Sequence, residues 1–84
     1  MLQEMYGSAE LICTDDHRTL TIRRPMYNSP LGPEDDPLGE FDTTGQDYFL
    51  AVRRAEELLG GPVVAAEEYD LGDEAISVLV LDSA

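Results

Sequence analysis

An amphipathic helix with a clear start and a clear stop restricts the possible folds of this chain more than any other feature. Thr44 is a good N-cap residue, and Asp47 three positions later completes the Thr-x-x-Asp form of a capping box. The Gly-Gly-Pro sequence at 60–62 supplies a left-handed stop followed by a residue that cannot continue a helix. Between these ends, apolar residues at helical spacing predict one buried face: Tyr48, Ala51, Val52, Ala55, Leu58 and Leu59.

The segment before this helix predicts a β-hairpin. Residues 9–13 form a short apolar run that includes Cys13, residues 14–17 are turn formers, and residues 19–23 alternate polar and apolar side chains. In that alternation Leu20 and Ile22 face the core.

Two further strands are predicted after the helix. Residues 63–69 begin apolar and end acidic, and residues 70–74 form a turn in which Gly72 can adopt a positive φ. Residues 75–81 are almost wholly apolar, which is typical of a central strand covered on both faces. The order ββαββ predicts a single α+β domain over residues 1–84, with an antiparallel sheet of about four strands and one helix packed on one face.

Residues 28–42 have the pattern of neither helix nor strand. Three prolines, two glycines and an acidic run at 34–36 predict a long acidic loop. A loop of this length without structure of its own is usually mobile or part of a binding surface. Three apolar side chains within it are candidates to pin it to the body: Leu31, Leu38 and Phe41.

Charge is unevenly distributed along the chain. The formal net charge is −13, from 18 acidic residues against five arginines and no lysine. Fourteen of the acidic residues and only two of the arginines lie after residue 27. A field of this sign repels nucleic acid and anionic membranes and attracts basic partners. We therefore expect no direct binding of nucleic acid, and a partner protein with a basic surface.

Composition also excludes several classes of protein. Cys13 is the only cysteine, so a scaffold of internal disulfides is excluded. No stretch approaches the roughly 20 apolar residues of a membrane span, and residues 1–5 lack the character of a signal peptide. A drug-sized pocket of roughly 300–1,000 Å³ would hollow out most of so small a domain. We expect a cytoplasmic protein.

Residue groups that suggest chemistry each have a simpler interpretation. Cys13 and His17 have a Cys-x3-His spacing, but a structural zinc site needs four ligands and the chain has no other cysteine or histidine. The acidic run at 34–36 does not fit the calcium-loop pattern, since Pro37 and Leu38 stand where oxygen ligands are needed.

Neighbouring charges also favour structural interpretations over catalytic ones. Adjacent carboxylates at 56–57 and 67–68 are not held in the opposed, differently buried positions that acid–base catalysis needs. The arginines most simply form internal ion pairs, and Arg53 with Glu57 has the i, i+4 spacing for one. We therefore predict a non-enzymatic protein with no metal and no cofactor.

In size, charge, single α+β unit and lack of catalytic motifs, the chain resembles the small acidic proteins that phages use against bacterial defences, including anti-CRISPR proteins and other DNA mimics. The resemblance implies an inhibitor in the host cytoplasm, whose carboxylates imitate phosphates and occupy the basic channel of a nucleic-acid-binding complex. The candidate binding residues are the acids of the loop and of the last hairpin, and those of the hairpin should lie close together: Glu34, Asp35, Asp36, Glu67, Glu68, Asp70, Asp73 and Glu74.

Two other interpretations are kept open. An interaction subunit or antitoxin-like partner would use an apolar surface, for which Leu50 on the outer helix face and an open strand edge are candidates. A housekeeping domain of a salt-adapted organism would also be rich in Asp and Glu and poor in Lys, and its charge would serve solubility alone. A homodimer is compatible with the sequence.

Overall fold

The computed structural model describes residues 1–82, which contain five strands and two helices. None of the helices in this range is long and apolar enough to cross a membrane. The helices are α1, a single turn at Gly32–Asp35, and α2 at Thr44–Leu59. The strands are β1 (Leu2–Tyr6), β2 (Ala9–Cys13), β3 (Leu20–Pro25), β4 (Val63–Asp70) and β5 (Glu74–Leu81).

The strands form one antiparallel sheet with the order β1-β2-β3-β5-β4. α2 packs across one face of this sheet, which confirms the predicted α+β arrangement. β1 is an additional strand that the sequence pattern did not indicate. Its alternate residues Leu2, Glu4 and Tyr6 lie on the helix side, and the charged residue among them interrupts the apolar signal.

The core lies between α2 and the face of the sheet that it covers. Leu11, Cys13, Leu20 and Ile22 are fully buried, which confirms the predicted core positions of Leu20 and Ile22. Leu11 pairs with Ile22 and Cys13 with Leu20, so the four side chains form one layer across β2 and β3. This layer packs against the buried apolar residues of the helix: Ala51, Ala55 and Leu59.

The C-terminus of α2 is the predicted one, but its N-terminus differs from the prediction. The N-cap is Thr43 and not Thr44, so the predicted capping box was wrong. The Thr44 amide N–H donates instead to the Asp42 carboxylate at 3.0 Å. At the C-terminus Gly60 is left-handed, and its N–H donates to the Glu56 carbonyl at 2.9 Å.

β5 lies between β3 and β4, as expected of a central strand. Within residues 1–82 it is covered on one face only, so the predicted cover on both faces was wrong. Ser77 and Leu79 are buried beneath α2. Ile76, Val78 and Val80 point the other way and are half-buried. We call this side of the sheet the open face, since no element within residues 1–82 packs on it.

Residues 28–42 lie outside the sheet and α2, and they contain the single turn α1, which the sequence pattern did not predict. The three apolar side chains expected to pin the loop are exposed, Leu38 by 81%, so that expectation was wrong. Hydrogen bonds hold the loop instead. The backbone N–H of Asn28 donates to the Asp42 carboxylate at 3.1 Å, and the backbone N–H of Thr43 donates to the backbone carbonyl of Asn28 at 2.9 Å. These two bonds close the loop at its base.

Candidate functional site

The last two strands form an exposed hairpin with a carboxylate-rich turn. The Leu71 amide N–H donates to the Glu74 carbonyl at 2.9 Å, and the Gly72 N–H donates to the Asp70 carboxylate at 2.9 Å. Every residue from 64 to 73 is exposed. The hairpin that was predicted to gather five candidate residues is therefore formed. We call these five residues the acidic hairpin: Glu67, Glu68, Asp70, Asp73 and Glu74.

The acidic hairpin presents carboxylates on both sides of the sheet. Glu67 pairs with Val78 and lies on the open face, whereas Glu68 pairs with Ser77 and lies on the helix side. α2 does not reach over this end of β4, so Glu68 and Asp70 are exposed. A partner that covers one face of the sheet therefore contacts only part of the cluster, whereas one that lies along the edge reaches both sides.

Internal contacts occupy some of these carboxylates and leave others free. Arg23 Nε donates to Glu74 at 2.7 Å, and this hydrogen bond raises the pKa of Arg23. Glu67 accepts a hydrogen bond from the Tyr69 hydroxyl, and Asp70 accepts one from the Gly72 N–H. Within residues 1–82, the side chains of Glu68 and Asp73 make no hydrogen bond and no ion pair. The charge of Asp73 nevertheless acts on Arg23 nearby, so Glu68 is the carboxylate most available to a partner.

The loop does not contribute its whole acidic run to the surface. Residues 34–35 are exposed on α1, but Asp36 is only 5% exposed. Its carboxylate accepts hydrogen bonds from the Glu40 N–H at 2.8 Å, the Phe41 N–H at 3.1 Å and the Tyr27 hydroxyl at 3.0 Å. Burial alone would raise the pKa of Asp36, but the hydrogen bonds outweigh it and hold the pKa below its ordinary value. Asp36 thus orders the loop and is not on the presented surface.

We expect Asp36→Ala to loosen residues 28–42 without loosening the core, because the carboxylate bonds only residues in or next to the loop. Hydrogen–deuterium exchange should accelerate by about tenfold at the Glu40 and Phe41 amides, the equivalent of one lost hydrogen bond. Exchange at the Ile22 amide should be unchanged. Equal acceleration at both places would show that Asp36 stabilises the whole domain.

The arginines are engaged in part by internal pairs, although not by the pair predicted. Arg54 contacts Glu4 at 2.9 Å and Glu57 at 3.1 Å. The predicted pair between Arg53 and Glu57 does not form, because Arg54 takes Glu57 at i, i+3 spacing. Arg53 lies instead over the Phe49 ring, 5.9 Å from its centroid. Glu4 on the far edge strand, β1, is thereby held in an ion pair.

Side chains with nucleophilic or metal-binding chemistry are kept apart. Cys13 is buried in the core, and burial raises the pKa of its thiol. His17 is exposed in the turn between β2 and β3. No group of three or more His, Cys, Asp or Glu side chains that could hold a metal ion occurs among residues 1–82.

Two open depressions border the acidic hairpin. One of about 400 Å³ lies at the end of the sheet, where Glu10, Arg23 and Glu74 are among its lining residues. The other, of about 320 Å³, lies on the helix side beside Arg24 and Glu68. Each combines an arginine with carboxylates at the surface, unlike the enclosed apolar pockets that hold small-molecule substrates.

Sequence reasoning missed the contact that anchors α2 to this end of the sheet. Asp47, read as part of a cap, is 9% exposed and accepts hydrogen bonds from the Ser8 N–H at 2.9 Å and the Ser8 hydroxyl at 2.7 Å. These bonds, the N–H foremost, lower the pKa of Asp47 although burial opposes them. The one signal available was a carboxylate on the apolar side of the helix. No local pattern pairs it with a residue 39 positions away.

The acidic hairpin as a whole offers a regular strand edge together with exposed carboxylates. Such a surface can attract cations and basic polypeptide segments. Comparison with protein-family models, with curated proteins and with solved structures found no match for this chain.

Proposed function

We propose that this chain is a small non-enzymatic cytoplasmic protein that binds and inhibits a protein with a basic surface, through the acidic hairpin. The observation that carries the proposal is the exposure of Glu68, whose side chain makes no hydrogen bond or ion pair inside residues 1–82, beside the exposed acids of the same turn. Carboxylates already held on an ordered strand and turn lose little conformational freedom on binding. The net charge of −13 steers a basic partner towards them.

A nucleic-acid-binding complex, such as a bacterial defence complex, is the kind of partner that fits this surface. Residues on a strand advance by about 3.3 Å each, which is close to the roughly 3.4 Å of helix axis per phosphate on one DNA strand. Glu67, Glu68 and Asp70 therefore place three carboxylates, on the two sides of the sheet, over a length in which one DNA strand places about four phosphates. An Arg/Lys channel would accept this edge in place of its usual ligand, which is the mode of action of a DNA mimic.

We expect the variant Glu68→Gln/Asp70→Asn/Asp73→Asn to bind the partner about 10–100-fold more weakly, the sum of three partly screened charges. Its affinity should also depend less on salt, because fewer charges contribute. The measurement is a dissociation constant by calorimetry or biosensor at several salt concentrations. A variant with the same change in charge at the opposite end of the molecule, Asp15→Asn/Glu56→Gln/Glu57→Gln, serves as the control.

The partner itself is sought by using the wild-type chain and both triple variants as baits in a nuclease-treated lysate of the expressing organism. A protein captured by the wild type and the control variant, at low but not high salt, is then tested for competition between this chain and a DNA or RNA duplex. Equal capture by all three baits would contradict the role of the acidic hairpin. Loss of the wild-type fold at low salt would instead support a salt-adapted housekeeping domain.

A second candidate function, an interaction subunit or antitoxin-like partner, is favoured by the open face. Ile76, Val78 and Val80 leave an apolar strip there, and Leu50 is 46% exposed on the outer side of α2. Under this candidate, Val78→Asp or Leu50→Asp abolishes capture of the partner, while the acidic-hairpin variant binds normally. The same set of baits therefore distinguishes the two functions.

A further inference from the structure

The outer edge of β4 is free along its length. β5 is its single neighbour within the described sheet, and every residue of β4 after Val63 is exposed. Natural edge strands usually carry charged side chains, proline or a bulge that blocks pairing with another chain. β4 contains no proline, and its charged residues are all acidic, so they repel a like-charged strand but not a basic one. Its register shift lies between Ala65 and Glu67, and from Glu67 to Asp70 the strand is regular.

The main-chain groups that face outwards can be assigned from the hairpin register. The Leu71 N–H donates to the Glu74 carbonyl. Hydrogen-bonded pairs alternate along an antiparallel ladder, so the main chain of Tyr69 also points towards β5. The N–H and C=O of Glu68 and Asp70 therefore point away from the sheet. Their exposed side chains add two carboxylates beside these free groups.

We infer that an extended basic segment of the partner pairs with the edge of β4 as an additional strand. The inference rests on the proposed function and names how the acidic hairpin is used. Main-chain pairing supplies affinity and side chains supply selectivity in this mode of recognition. Charge complementarity selects the occupant, because β4 carries three exposed carboxylates and a turn acid follows it, whereas no residue of the strand is basic.

The two sides of β4 specify the pattern of that segment. Towards the helix side, Glu68 and Asp70 fit Lys or Arg side chains on the added strand. Towards the open face, Val64 and Tyr69 are exposed by 44% and 48% and fit apolar side chains, whereas Glu67 between them fits a further basic one. Because side chains alternate along a strand, the segment opposite residues 68–70 has basic residues at alternate positions with an apolar residue between them.

The other possible edges and occupants fit less well. β1 forms the opposite edge, but its one acidic residue, Glu4, is already in an ion pair with Arg54. A second copy of β4 would place carboxylates opposite carboxylates in an antiparallel pair, which is destabilising. A basic segment on β4, in contrast, places cationic side chains opposite exposed carboxylates.

The experiment uses the wild-type chain and an eight-residue capped peptide of alternating Lys and Val. We expect the peptide to slow hydrogen exchange at the Glu68 and Asp70 amides, measured by NMR, while spermine, a polyamine without peptide groups, does not. Glu68→Gln should weaken peptide binding about two- to fivefold through loss of one exposed charge. Glu68→Pro, which also removes an outward N–H that the sheet does not use, should weaken it at least about tenfold further.

Met5→Pro, at a position where the main chain of β1 faces outwards, is the matched lesion on the other edge and should bind the peptide normally. The edge inference is overturned if Glu68→Pro binds as well as Glu68→Gln, or if protection appears at β1. It is equally overturned if, without peptide, hydrogen exchange at the Glu68 and Asp70 amides slows as the protein concentration rises, since a second copy would then occupy the edge. The exchange measurement needs only the wild type, so it decides the matter even if Glu68→Pro does not fold. If any of these results is obtained while the wild-type and control baits still capture the partner and the acidic-hairpin variant does not, the edge inference fails and the proposed function is retained.

Discussion

Replacing Asp47 with alanine is expected to lower the free energy of unfolding by about 2–4 kcal/mol. The nearly buried carboxylate accepts hydrogen bonds from the Ser8 N–H, the Ser8 hydroxyl and, at 3.2 Å, the Thr43 hydroxyl. Its removal leaves the donors of Ser8 without partners where β1 turns into β2 and disconnects that turn from α2. Thermal unfolding followed by circular dichroism should show a Tm lower by about 10–20 °C.

The pH dependence separates the charge of Asp47 from its packing. Its hydrogen bonds with Ser8 lower the pKa below the ordinary 3.8. A lowered pKa means that the stabilisation is complete above the unfolded value and is lost as pH falls through the folded value. The difference in stability between the wild type and Asp47→Asn should therefore narrow below about pH 4. A difference that stays constant into strong acid would assign the effect to packing.

Gly7→Ala is expected to destabilise the domain by about 2–4 kcal/mol, from two separate causes. Gly7 has φ +59°, a left-handed conformation that costs other residues roughly 1–2 kcal/mol. A Cβ at this position would also lie 2.6 Å from Oδ2 of Asp47, so the anchoring carboxylate would have to move. Urea unfolding at constant m-value measures the loss.

Gly39→Ala is the matched control for the first cause alone. Gly39 also has a left-handed φ, +68°, but nothing lies within 4 Å of a Cβ built there. Its substitution should cost less than that of Gly7. A double-mutant cycle of Gly7→Ala with Asp47→Ala should show less destabilisation than the sum of the single changes, because the clash needs both residues. Strict additivity would contradict the assigned contact.

Net charge predicts an acidic binding surface, and the structure distinguishes the carboxylates that are exposed from those held by internal contacts. The acidic run of the loop and the acids of the last hairpin read alike in the sequence, since each is a cluster of like charges without a periodic pattern. Asp36 nevertheless accepts three hydrogen bonds inside the loop, and Glu74 is held by Arg23. Glu68 keeps its carboxylate free. These differences depend on how segments pack and are therefore invisible to composition.

Periodicity and turn chemistry act between near neighbours, so the sequence alone predicted α2, the strands next to it and the burial of Leu20 and Ile22. Three features emerged only once the chain was folded. β1 is held in place by a helix cation about fifty residues away, Asp47 bonds a turn from the first hairpin, and the edge of β4 is left unpaired. Each depends on how segments that are distant in the sequence pack together, and no local sequence pattern specifies the free energy of those tertiary contacts.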